Sequence, residues 1–327
     1  MAKNIGALTH VGVGKESTRG TAVAVGEWIP KSELSFNDNA EYIKQEAPYG
    51  VINEFMDGTI GKNWGAGVVA GPVFVDSIGY ILGATFGAFP SASGSATVGY
   101  THIFTPAQNS THQSLTLYRK DPNEDINFAL GMVNSLEITY ELGEYLSYSA
   151  DFISKASTAT TPASTPTYTA SAKIRPQDLT VKIASTVAGL GAGTTLNVES
   201  ASITIEKNLI DYQTHGDTGL NDIFNARFSF SGTFVILWDS TTYKALWKAG
   251  TKQALQFAAV NLAETVGSGA TTNPGLTFTI APSLLEEFGL EEGNDDIVKQ
   301  TIGFTGLYDL ATGASITATL VNGKASY

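Results

Sequence analysis

Apolar and polar residues alternate along most of this chain. Residues 114–118, 136–140, 145–149, 179–183, 201–205, 227–231, 301–305 and 316–320 each read as a strand with one buried face. Helical spacing occurs in two places. Phe74, Ile78, Ile81, Leu82 and Phe86 fall near a 3.6-residue period, and so do Tyr243, Leu246 and Trp247. Asp76 and Asp239 stand where an N-cap or first-turn acid helps, and Gly87 and Gly250 where a left-handed C-cap is wanted. The pattern predicts a mainly β protein of antiparallel sandwich or barrel domains, each with one flanking α-helix, at about 72–87 and 239–250.

The two helices share a signature. Asp76, Ser77, Tyr80 and Gly87 recur as Asp239, Ser240, Tyr243 and Gly250, displaced by 163 residues (76 to 239). Around them, residues 34–39 match 203–208 at a displacement of 169, 115–117 match 276–278 at 161, and 146–152 match 302–308 at 156. The order is kept while the displacement drifts, as loop insertions produce. The expectation is therefore an internal duplication. It divides into an N-terminal arm (1–25), a first domain (26–156), a Ser/Thr/Pro linker (157–168) and a second domain (169–327). Low-complexity pieces at 91–99, 187–195 and 267–273 read as exposed loop tips.

Composition adds three constraints. Charged residues are 15% of the 327, against a usual share of roughly 25%. Low charge fits a chain that buries part of its surface against other subunits. The net charge is −12, from 31 acids and 19 bases, which disfavours a nucleic-acid binder that must neutralise phosphates. There is no cysteine, so thiol catalysis, Cys-ligated zinc and disulfides are excluded. The N-terminal residues lack the apolar core of a signal peptide, and the most apolar stretch (65–89) is broken by repeated glycines, Pro72 and Asp76. A soluble, cytoplasmically made protein with no membrane partner is expected.

Candidate chemistry is thin. His10, His102, His112 and His215 show no metal-ligand spacing, and His102 and His112 read as solvated or locally hydrogen-bonded. Gly14-Lys15 suggests a P-loop, but Glu16 stands where the loop needs Ser or Thr, and Thr9 where it needs its first glycine. Gly65, Gly67 and Gly71 are spaced one residue too long for a dinucleotide fingerprint and mark tight strand packing instead. Glu286, Glu287, Glu291, Glu292, Asp295 and Asp296 read as one charged stretch between strands, solvated or lumen-facing. No catalytic residue, cofactor or metal site is expected, and the protein is read as a non-enzyme. Rival readings are a porin-like outer-membrane β-barrel and a carbohydrate-binding or adhesive pair of β-domains.

The order of features resembles a known family. A segment at 14–22 precedes the Trp28-Ile29-Pro30 strand entry, followed by a long loop and Asp57-Gly58-Thr59. Then come the Gly-rich strand, a helix ending at residues 83–87, and closing segments at 304–309 and 320–322. Together these resemble the major tail tube protein of long, non-contractile-tailed (siphovirus-type) bacteriophages. The resemblance implies a structural virion protein that assembles into stacked rings of six domains, with inner strands lining a conduit for DNA ejection. A duplicated chain then needs three copies per ring, a homotrimer with pseudo-sixfold symmetry; a homohexamer is the alternative. It also implies other tail proteins at the tube ends and genomic DNA passing through the lumen without specific binding. Tyr42, Tyr49, Phe55, Tyr212, His215 and Phe224, on the loops at 39–56 and 209–225, are the candidate inter-subunit or inter-ring contacts.

Overall fold

A computed structural model describes residues 5–160, 165–169 and 171–327. The first half contains β1 (His10–Lys15), β2 (Glu27–Ile29), β3 (Glu33–Leu34), β4 (Asn37–Glu46), β5 (Phe55–Pro72) and helix α1 (Ile78–Phe86). It continues with β6 (Ser93–Ser95), β7 (Gly99–Phe104), β8 (Leu115–Lys120), β9 (Asp125–Tyr140), β10 (Ser147–Ser154) and β11 (Thr158–Ala159). The second half contains β12 (Leu179–Ala184), β13 (Thr194–Leu196), β14 (Val198–Glu206), β15 (Leu209–Tyr212), β16 (Asp222–Asn225), β17 (Ser229–Leu237) and helix α2 (Thr242–Lys248). It ends with β18 (Gln253–Val260), β19 (Gly275–Glu291), β20 (Lys299–Thr305) and β21 (Ile316–Asn322). The protein is mainly β and antiparallel, as its alternation predicts.

Strand pairing follows the same pattern in the two halves. In the first half β2, β1, β8 and the start of β9 form one ladder, and the end of β9, β10, β5 and β4 form another. In the second half the same roles fall to β13, β12, β18 and β19, then β19, β20, β17 and β14. Register agrees along β3–β5 and β14–β17. Leu34 pairs Val69, and Ile203 pairs Gly232, so the displacement is 169 on one strand (34 to 203) and 163 on the other (69 to 232). Even an irregularity repeats. The register shifts between Leu115 and Leu117 opposite β9, and between Gln253 and Leu255 opposite β19.

Two of the sequence correspondences are corrected by these ladders. Residues 115–117 lie on β8, whose counterpart is β18, at 253–255. Tyr148 pairs Gly71, whose counterpart Phe234 pairs Ile302, so 148 corresponds to 302 at a displacement of 154, not 156. A two-residue slip keeps every side chain on its face, so alternation alone cannot detect it.

The helices are shorter than expected. Ahead of α1 the chain is still held in strand-like bonds, Val73 N–H to Leu146 C=O and Val75 N–H to Ala172 C=O, so helix begins only at Ile78. Neither Asp76 nor Asp239 is an N-cap; those positions are Ser77 and Thr241. The C-terminal glycine of α1 is as expected: Gly87 has φ 89° and returns its N–H to Gly83 C=O. Part of the stretch expected to be an N-terminal arm, 1–25, forms β1, where Val11 and Val13 are buried in the core. Of the expected linker at 157–168, residues 161–164 lie outside the described residues. Its start forms β11 against Ile126 and Asn127. One hydrophobic core runs through both halves, from Val11 to Leu320.

Candidate functional site: an open sheet face and two equivalent edges

The second ladders of the two halves join into one sheet. The end of β9 pairs β14, with Ile138 opposite Ile203 and Thr139 opposite Ser202. Strand order is then β4, β5, β10, β9, β14, β17, β20, β19, eight antiparallel strands that do not close into a barrel. One face packs on the core through Leu136, Ile138, Phe152, Ile203, Phe234 and Phe304. The other alternates with it and stays open.

The open face is built from small and acidic side chains. One row across the strands runs Ala70, Ser149, Glu137, Thr204, Ser231, Thr305. The next runs Pro72, Ser147, Thr139, Ser202, Thr233, Gly303, Glu287, and a third runs Val68, Asp151, Ser135, Glu206, Ser229. No Lys or Arg stands in these three rows. Bases appear only beyond these rows: Lys299 on β20 is ion-paired to Glu199 at 2.7 Å, and Lys62 farther along β5 is ion-paired to Asp211. Small residues let strands and backbones approach: a Cβ on Gly65 would sit 2.4 Å from Ser154 Oγ, and one on Gly71 3.1 Å from Pro30 C=O.

Each end of the sheet is an edge. Among the described residues, β3 and β4 pair only with β5, and the end of β19 pairs only with β20. Glu286, Glu287 and Glu291 lie on β19 itself rather than in a stretch between strands. Phe288 packs there against Trp238 and Trp247.

The hairpins that extend from the two ladders differ. In the second half the ladder stops at Glu206 opposite Ser229, Asn208 turns left-handed (φ 49°), and β15–β16 forms a separate hairpin. It folds back onto the first half, burying Leu220 and Ile223 against Leu130 and Met132 beside Trp64 and Ile153. Arg19 clamps it, with Nε on Asp222 at 2.8 Å and the other guanidinium nitrogens donating to His112 C=O and Ile223 C=O. Lys62 pairs with Asp211, Gln213 donates to Gly61 C=O at 2.9 Å, and Asn63 N–H to Thr218 C=O at 2.8 Å. Burial pushes the Lys207 ammonium down to about 7, while its Nζ donates to Ala84 C=O at the end of α1. His112 is pushed down to about 4, first by burial and then by Lys207.

In the first half the corresponding hairpin, β4–β5, continues straight as a long arm. Tyr42 (61% exposed), Tyr49 (69%) and Phe55 (42%) project from it, with Ile43, Ile52, Met56 and Ile60 also exposed. Tyr212 and Phe224 meet edge to face on β15–β16, and His215 is exposed in its turn. The six expected contact residues thus fall into two groups of three on equivalent hairpins. Sequence reasoning missed Arg19, Lys207, Leu220 and Ile223, which hold the second hairpin down. His102 and His112 are buried rather than solvated, bonded to Lys324 C=O at 2.8 Å and Ala107 C=O at 3.0 Å. No group of three or more metal-ligating side chains occurs among the described residues. No helix there is long and apolar enough to cross a membrane.

A family model described as phage tail tube protein matches residues 6–306 of the chain. A comparison with curated proteins returns no match.

Proposed function

Because this chain belongs to the phage tail tube protein family, and so is a structural component of the phage tail, we propose that three copies close into a ring whose eight-stranded sheets form one inner wall. Rings stack into the tail tube of a siphovirus-type virion, a conduit for genomic DNA during ejection. Each half of the chain supplies one tube domain, so three chains give six domains and pseudo-sixfold symmetry; a homohexamer is the competing count. Other tail proteins cap the ends. The protein is made in the host cytoplasm and has no catalytic step.

The observation that carries this reading is the joint between β9 and β14. It welds two equivalent ladders edge to edge, leaving one edge of the same kinds, β4 and β19, at each end of the sheet. Unpaired edges invite another chain, and ring closure satisfies them. Three sheets contribute about 24 strands; at about 4.8 Å each, the backbone circle is roughly 37 Å across even without strand tilt. Side chains as small as Ser, Thr and Ala leave room within that circle for a DNA duplex. Carboxylates on that wall repel phosphates instead of releasing counterions, so DNA slides without sticking.

Negative-stain electron microscopy of the purified protein tests this. Rings or hollow tubes with a central hole are expected, and a monomeric globule under all conditions would refute the proposal.

A further inference from the structure

The contact between the two halves is a template for the contact between two chains. Resting on the tube reading, we propose that the first half of one copy docks on the second half of the next in the register that β14 already uses on β9 within a chain.

The ladders fix that register. β14 corresponds to β3–β4 at a displacement of 169 (203 to 34), and the end of β9 corresponds to the end of β19 at 150 (138 to 288), because Tyr148 pairs Ile138 where Ile302 pairs Phe288. The internal pair Ile203–Ile138 therefore becomes Leu34–Phe288 between chains. Ser202–Thr139 becomes Glu33–Gly289. Ile203 and Ile138 are fully buried, whereas Leu34 and Phe288 are partly buried on the rim of the same core. Pairing them extends the core across the interface. Both edges lack a partner strand among the described residues.

The hairpins obey the same mapping. Ile223, buried under the first half of its own chain, corresponds to Ile60 at a displacement of 163, and Ile60 is 40% exposed. The seat under Ile223 is Leu130, Met132, Trp64 and Ile153. The counterparts of Trp64 and Ile153 on the second half are Arg227 and Leu307, and neither is buried. An open groove runs beside them, lined by Phe228, Phe230, Gly306 and Tyr308. The arm of the next copy, carrying Ile43, Phe55 and Ile60, is the apolar element that fits this groove. The arm then lies beside its neighbour in the same ring, not only against the next ring.

The chain has no cysteine, so a pair of introduced thiols reads the register cleanly. Directly opposite residues bring Cβ atoms to about 5 Å and a two-residue slip to about 7 Å or more, against the roughly 4 Å that a disulfide needs. In full-length assembled protein, Glu33→Cys/Gly289→Cys is expected to oxidise into linked chains, ending at a three-chain product. The yield should be at least ~10-fold that of the slipped pair Ser35→Cys/Gly289→Cys, as the distances require. Ser202→Cys/Thr139→Cys calibrates the geometry within one chain. If the calibrator links while the slipped pair links as well as the matched pair, or while neither links in intact tubes, the register is wrong and the tube reading survives. If wild-type chains never assemble, both fall. Hydrogen exchange needs no variant: the amides of residues 33–34, and those of 287–290 not already bonded to β20, slow at least ~10-fold on assembly, and unchanged rates overturn the pairing.

Discussion

The hairpins β4–β5 and β15–β16 occupy the same place in a repeated unit, yet one is bare and the other is covered. Ile60 is 40% exposed and its counterpart Ile223 is fully buried. Local strand propensity does not separate them, since both are antiparallel hairpins leaving equivalent ladders. What differs is the next element. β15–β16 has the chain's own first half beneath it, and beyond residues 61–63 the arm of β4–β5 has no such cover among the described residues. The helices repeat the contrast. Every residue of α1 is buried, under Phe228, Tyr327 and the β6–β7 segment, while α2 has no fully buried residue and no β6–β7 counterpart before β18. A duplicated fold thus shows what one half is missing by comparison with the other.

The largest expected effect breaks that comparison at one position. Ile223→Asp places a carboxylate in a sealed apolar cluster and should cost about 4 kcal/mol, read by denaturant unfolding. Ile60→Asp should change stability by less than about 0.5 kcal/mol yet abolish rings in sedimentation and microscopy. Equal destabilisation by the two would show that the arm is already packed.

The helix-terminal glycines sharpen the same contrast. At Gly87, φ is 89° and a Cβ would sit 2.3 Å from the His112 ring, so Gly87→Ala should cost about 2–3 kcal/mol. Gly250 has φ 60° with nothing within 4 Å, so Gly250→Ala should cost about 1 kcal/mol. Thermal midpoints of the two variants check the ordering.

Removing the clamp, Arg19→Ala, should cost about 2 kcal/mol, since it leaves two carbonyls and Asp222 without their donor. Limited proteolysis should then cut within residues 213–221 first.

The smallest effect is a pH slope. Lys207 titrates near 7 in the fold and near its ordinary 10.5 in the unfolded chain, so between those values the unfolded chain holds more protons. Stability from this residue therefore rises with pH from about 7 to 10.5, by at most ~1.4 kcal/mol per unit, and is flat below 7. Lys207→Met should erase that slope; identical profiles would refute the assignment.

Much of this was legible in the sequence, for identifiable reasons. The helix signature and the match of 34–39 to 203–208 proved true in register because glycines, tyrosines and a strand entry give them direction. The match of 115–117 to 276–278 did not, because an apolar-polar-apolar triplet fits any strand. The clamp was out of reach: Arg19 and Asp222 are some 200 residues apart, and nothing local to either marks the pair. The joint of β9 to β14 was hidden for the same reason, and with it the single eight-stranded sheet.

Native mass spectrometry of the smallest closed ring tests the central claim most directly. The proposed ring holds three copies with two tube domains each, so a particle of three chains is predicted, with six lobes and threefold symmetry in projection. A ring of six 327-residue chains would contradict the account.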